Sequence, residues 1–216
     1  MKRGFVFALC WLVCSAWGET ETALNKVEVA TDFPTLERGA ETVMTVCVGC
    51  HSLKYIRFRE LAKLGISKNK VDAWRGSNSM GTSINSQMPA DAALASFGKA
   101  PPDLSLMAKA REGEANYIYS YLLGYYTTPD GTTGNHYFPT TKMPDILAVA
   151  GVTDPAQRAP IEQNAREVTS FLTWAADPHA QERQTLGYYV IGYLLIFTTM
   201  LYLLKCKIWA RLDRAQ

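Results

Sequence analysis

The chain has 216 residues, 48% of them hydrophobic, and a net charge of +2, which leaves room for one domain of ordinary size beside short terminal segments. Between Glu19 and Gln184 there are 16 Lys and Arg against 19 Asp and Glu, so the surplus of base lies at the two ends. No basic stripe or polybasic run occurs in that middle stretch, which argues against a nucleic-acid partner.

Taken in chain order, Lys2 and Arg3 precede an apolar run from Phe5 to Val13, followed by the small residues Ser15, Ala16 and Gly18 and then acidic Glu19 and Glu21. This is the pattern of a secretory signal at 1–18, with an exported domain at 19–184. Leu36, Ala40, Val43 and Cys47 recur at helical spacing after Pro34, with Thr31 or Asp32 placed to cap, so a helix is predicted over 34–47. A second helix is predicted over 53–64, stopped by Gly65, and a third from a Ser67 cap to Trp74. The stretch 75–99 has little sustained period and reads as a long surface excursion. Asp103 is placed to cap a helix to Arg111, and 116–124 reads as another. Pro129, Gly131, Gly134 and Pro139 make 128–141 a loop, and Asp154 or Ala159 opens a last helix of the exported domain to Ala176. No convincing alternating strand is present, so the domain is expected to be mainly α.

From Thr185 to Leu204 there are 20 residues without a charge, and at ~1.5 Å per residue they reach ~30 Å, about one hydrocarbon core. Tyrosines 188, 189 and 193 stand near one end of this run and Tyr202 and Trp209 near the other, with Lys205, Lys207, Arg211 and Arg214 after it. A transmembrane helix at 185–204 with a cytoplasmic tail at 205–216 is predicted, which puts the preceding domain in the periplasm, the orientation the signal also gives.

Of five cysteines, only Cys47 and Cys50 fall in the exported domain, in the run Cys47-Val48-Gly49-Cys50-His51. This is the attachment pattern of a c-type haem. On a helical turn, residues three apart share a face, so both thiols reach the two vinyl groups on one edge of a porphyrin. The imidazole of His51 then meets the iron from the same side. A zinc site would need four ligands at other spacings, and a redox dithiol would follow a strand rather than the predicted helix. The expected cofactor is therefore one covalently attached haem c.

What fills the iron's sixth position decides between electron transfer and ligand chemistry. Met44 is too close to the attachment turn, and Met107 reads as a core residue. Met88 and Met143 are both loop methionines followed by Pro. Local reading favours Met143, because it lies beyond a Gly/Pro-rich loop able to wrap back over the open face, with Met88 as the alternative and a core gap-filler as the plain role for either.

The stretches Arg38-Gly39 to Val46, Cys47 to Ser52 with Lys54-Tyr55, Ala100-Pro101-Pro102-Asp103-Leu104-Ser105, Tyr137-Phe138-Pro139 before Met143-Pro144, and Phe171 to Pro178 together resemble the cytochrome c1 family, the haem subunit of quinol:cytochrome c reductase. The resemblance implies a c-type cytochrome domain with long loops around one haem, plus a single C-terminal transmembrane helix in the bacterial inner membrane. It implies that Met143 is the sixth ligand and that Arg111 lies against a haem propionate, where a guanidinium pairs well with a carboxylate. It also implies that Pro101 or Pro102 offers a carbonyl to the second ring nitrogen of His51. His136 is expected to be a loop residue, and with no cysteines beyond the haem pair in the domain, the extra disulfide that some relatives carry is not expected. The implied partners are cytochrome b, a Rieske iron-sulfur protein as donor and a soluble cytochrome c as acceptor. Two other readings remain: a stand-alone tethered cytochrome feeding a terminal oxidase, and a haem enzyme or gas sensor with an open distal site.

Overall fold

The computed structural model describes residues 23–212, so the predicted signal at 1–18 and the last four residues of the predicted tail lie outside the described residues. The first helix, α1 (Phe33–Thr45), starts where Asp32, in extended conformation, accepts a hydrogen bond from Thr35 N at 3.1 Å, with Pro34 in the first turn. It ends before the cysteines: Cys47 opens a separate single 3-10 turn, Cys47–Gly49, and Cys50 caps that turn's end, so neither lies on the helix itself.

The partner of α1 is the long helix α7 (Pro155–Ala176), opened by the Asp154 cap. Leu36, Ala40 and Val43 on one helix and Ala165, Val168 and Leu172 on the other are all buried, and each fully buried aliphatic side chain stabilises the fold by about 1.5–3 kcal/mol. The approach is close because Gly39 has no side chain: a Cβ there would collide with the backbone carbonyl of Glu167. Beside it Arg38 Nε donates to Glu167 Oε1 at 2.6 Å, and Thr42 Oγ1 donates to Asn164 Oδ1 at 2.9 Å. Polar bonds of fixed geometry thus set the register of an otherwise apolar helix pair.

The segment predicted as one helix over 53–64 divides into a strand, β1 (Leu53–Arg57), and a shorter helix, α2 (Phe58–Leu64), closed by Gly65 at φ 109°. Leu53 and Ile56, three apart and both buried, imitate helical spacing. The N–H groups of Lys54 and Tyr55 are instead taken by Asp103 Oδ2 at 2.9 Å and Ser105 Oγ at 3.0 Å, so distant partners override local period. As expected, Ser67 caps α3 (Lys68–Arg75).

The stretch 75–99 is more ordered than its composition suggests. It holds β2 (Ser83–Ile84), antiparallel to β1, and α4 (Ala90–Phe97), an eight-residue helix too short to show a sustained period. Asp103 caps no helix, because its carboxylate is engaged with Lys54 N and Ser105 N. Helix α5 is accordingly only Met107–Ala110, and α6 runs Glu114–Leu123, ending at Gly124. Residues 125–135, which follow the predicted helix 116–124 and run into the predicted loop 128–141, form a hairpin of β3 (Tyr125–Thr127) and β4 (Thr133–Asn135), turned at Gly131 with φ 83°. Three-residue strands are too short for alternation to reveal. Helices still dominate, and the fold class is mainly α.

The last helix, α8, spans Ala180–Leu212, longer at both ends than the predicted 185–204. It is long and apolar enough to cross a membrane, and among the described residues none covers its apolar stretch. Its first turn is tied back to the domain by Asp177, which accepts both guanidinium nitrogens of Arg183 at 2.8 and 2.6 Å and Lys109 Nζ at 2.6 Å.

Candidate haem site

Between the α1–α7 pair, α6 and the segments 97–107 and 138–146 lies a largely apolar cavity of about 1290 Å³, counting its open mouth. All seven residues singled out from the sequence line it: Cys47, Cys50, His51, Pro101, Pro102, Arg111 and Met143.

The attachment turn is built by Cys50 N and His51 N, which both donate to the Cys47 carbonyl at 3.0 and 2.8 Å. Gln87 N donates to Val48 O at 3.1 Å and Ser86 N to Ser52 Oγ at 2.8 Å, so the 85–87 segment braces the turn from outside. This bracing gives the 75–99 stretch a definite role next to the site. Cys47 is buried and Cys50 half-buried, and both are free thiols. Burial first, then the neighbouring Cys50, pushes the Cys47 thiol up to about 11, so it is protonated at neutral pH.

His51 is buried, and its Nδ1 lies 2.7 Å from Pro102 O. A carbonyl only accepts, so Nδ1 is the donor and Nε2 is left bare, the tautomer a metal ligand requires. Burial pulls the imidazole's pKa below its usual value, against the opposing pull of the Pro102 carbonyl and Asp103, which keeps the ring neutral. Pro102 is held in place by its neighbours: Leu104 N donates to Ser52 O at 2.8 Å, Lys54 N to Asp103 Oδ2, and Tyr55 N to fully buried Ser105 Oγ. Of the two prolines, Pro102 carries the bonded carbonyl. Sequence reasoning quoted Asp103 and Ser105 as part of a motif but gave them no such task.

Met143 reaches the cavity from the 138–146 segment, and Met107 reaches it from the segment fastened to His51. Met88 does not line the cavity, Met44 is a core residue, and exposed His136 stacks on Tyr126 with ring centroids 4.3 Å apart. Arg111 is exposed, has its guanidinium 5.8 Å from the Tyr117 ring centroid, and makes no ion pair among the described residues. Lys99 and Lys142, which the sequence did not single out, also line the cavity. Every charged residue of the lining is thus a cation, and no carboxylate faces in.

The residues present fit a haem on three counts: a wide apolar slot, a bare imidazole nitrogen beside two free thiols, and cations suited to two propionates. A bare metal ion fits poorly, since among the described residues no group of three or more His, Cys, Asp or Glu is placed to hold one. A mainly helical domain built around such a slot is of the c-type cytochrome class.

The comparisons agree. The family model described as the Cytochrome C1 family matches residues 24–212. "Cytochrome c1" of Rhodospirillum rubrum is 34% identical, over 82% of this chain and 82% of that protein. "Cytochrome b/c1" of Bradyrhizobium diazoefficiens is 34% identical over 83% of this chain, which spans 33% of that longer protein. "Cytochrome c1-2, heme protein, mitochondrial" of Solanum tuberosum is 31% identical, over 84% of this chain and 78% of that protein. The chain belongs to the cytochrome c1 family, the haem subunit of the cytochrome bc1 complex, whose members carry covalently bound haem c.

Proposed function

We propose that Cys47 and Cys50 would carry the haem through thioether bonds, that His51 and Met143 would hold its iron, and that the chain works as the membrane-anchored, single-haem subunit of a quinol:cytochrome c reductase. The meeting of these four side chains on one apolar cavity whose charged lining is wholly cationic carries the reading. Bound there, the haem supplies one-electron exchange and no bond of a substrate is broken.

The chain's own residues do the rest. Cys47 and Cys50 would hold the haem covalently through their sulfurs, which lie on one turn at the cavity. The Pro102 carbonyl holds His51 with its free nitrogen toward the cavity, and the Met143 thioether favours the reduced iron. Arg111, Lys99 and Lys142 supply charge for the propionates at the mouth, and the apolar lining excludes water.

The proposed division of the chain is a signal at 1–18, a periplasmic haem domain at 19–184, a membrane helix at 185–204 and a cytoplasmic tail at 205–216, in a bacterial inner membrane. The proposed donor is a Rieske iron-sulfur protein fed by cytochrome b, and the proposed acceptor a soluble cytochrome c. The relative whose name joins b and c1 supports a cytochrome b neighbour. The domain's balance of 16 basic to 19 acidic residues permits, without dictating, docking of a basic carrier. The test is purification in mild detergent: cytochrome b and the Rieske protein should accompany this chain, and quinol should reduce its haem. Purification as a lone cytochrome that reduces an oxidase directly would favour the tethered-shuttle reading instead.

A further inference from the structure

The segment that brings Met143 to the cavity has no helix or strand of its own between Asn135 and Pro155, yet its position is closely determined. Met143 N donates to Thr141 Oγ1 at 3.2 Å, Thr141 Oγ1 lies 2.6 Å from Tyr121 Oη, Tyr121 Oη lies 3.2 Å from Tyr125 Oη, and Tyr125 Oη lies 3.0 Å from the Met143 carbonyl. Each hydroxyl has one proton to give. The Met143 amide must donate and its carbonyl must accept, so Tyr125 gives its proton to that carbonyl. The same Tyr125 hydroxyl is also directed at Tyr121 Oη, and the Tyr121–Thr141 contact uses the proton of one or the other of those two hydroxyls. The four contacts close a circuit that leaves the Met143 amide and returns to the Met143 carbonyl through Thr141, Tyr121 and Tyr125.

We propose that Tyr125 is a positioning residue for Met143, the link that closes this circuit and holds the methionine's backbone at the cavity. Tyr125 is buried and does not line the cavity, so its task is behind the ligand rather than at the reacting atoms. The β3–β4 pairing sets it opposite fully buried Asn135, whose amide donates to Tyr121 O at 2.8 Å and whose oxygen accepts from Tyr137 N and Phe138 N. The hairpin therefore fixes both the start of the loop and the tyrosine that fastens its far end. Hydrogen bonds in a chain polarise and strengthen one another, so loss of one link weakens the whole circuit.

The inference rests on Met143 being the sixth ligand, and the test separates the two claims. Holoprotein is prepared as wild type, Tyr125→Phe and Met143→Leu, and imidazole binding to the oxidised haem is titrated together with the sulfur-to-iron charge-transfer band. Tyr125→Phe should retain the band and bind imidazole about threefold to tenfold more tightly, the size of one lost internal hydrogen bond. Unchanged imidazole affinity in Tyr125→Phe, while Met143→Leu abolishes the band, overturns the role of Tyr125 and leaves the ligand in place. Persistence of the band in Met143→Leu overturns the ligand itself. If Tyr125→Phe does not assemble, Thr141→Val cuts the same circuit elsewhere and is judged by the same rise or its absence.

Discussion

Two segments meet at the cavity, and they are held by opposite means. The Cys47–His51 turn is specified within five residues, sits at the end of α1 and is clamped by backbone bonds and by the α1–α7 core. The Met143 segment lies in a stretch without regular structure and is held by side-chain hydroxyls borrowed from α6 and β3. A covalent attachment point can be rigid and local, because its chemistry is done once.

The comparison can be broken most completely at the turn. Replacing both Cys47 and Cys50 by Ser should abolish covalent haem, seen as loss of haem stain on a denaturing gel. Next in size, Met143→Leu should keep the covalent haem but lower its midpoint potential by an amount on the order of 0.2 V within the ~0.8 V that axial ligands span, read by redox titration. An unchanged potential would return attention to Met107, the other methionine of the lining. Gly39→Val sharpens the contrast by attacking only the rigid side. Its added atoms meet the Glu167 carbonyl, so the domain should lose ~1–3 kcal/mol in denaturant unfolding.

The smallest effect concerns the junction with α8. Arg183 first and then Lys109 hold the Asp177 carboxyl down at about 2, below its ordinary value of 3.8. A depressed folded-state value means that this clasp is fully present above pH ~4 and fades as the pH falls toward 2. Asp177→Asn should therefore speed proteolysis between the domain and α8 at neutral pH, and should remove the acid dependence of that cleavage over this window.

The parts of the molecule governed by local chemistry were legible in the chain. The Ser67 cap and the stop at Gly65 act within a few residues and fall where they were expected, and Asp32 and Asp154 are the caps among the alternatives that the chain offered. What was missed depends on contacts across long separations. Leu53–Arg57 is a strand because Asp103 and Ser105, about 50 residues away, take its N–H groups. The hairpin at 125–135 is too short to show alternation, yet it decides where Tyr125 stands. Lys99 and Lys142 looked like ordinary surface cations until folding brought both to the cavity beside Arg111. Of the two Met-Pro candidates, Met143, which the sequence already favours, lines the cavity and Met88 does not.

The most direct test is mass spectrometry of denatured, protease-digested protein produced in a host that matures c-type cytochromes. The peptide containing Cys47 to His51 should be heavier than its sequence by one haem, with both thiols blocked. The same peptide recovered at its unmodified mass, with Cys47 and Cys50 open to alkylation, would contradict the account.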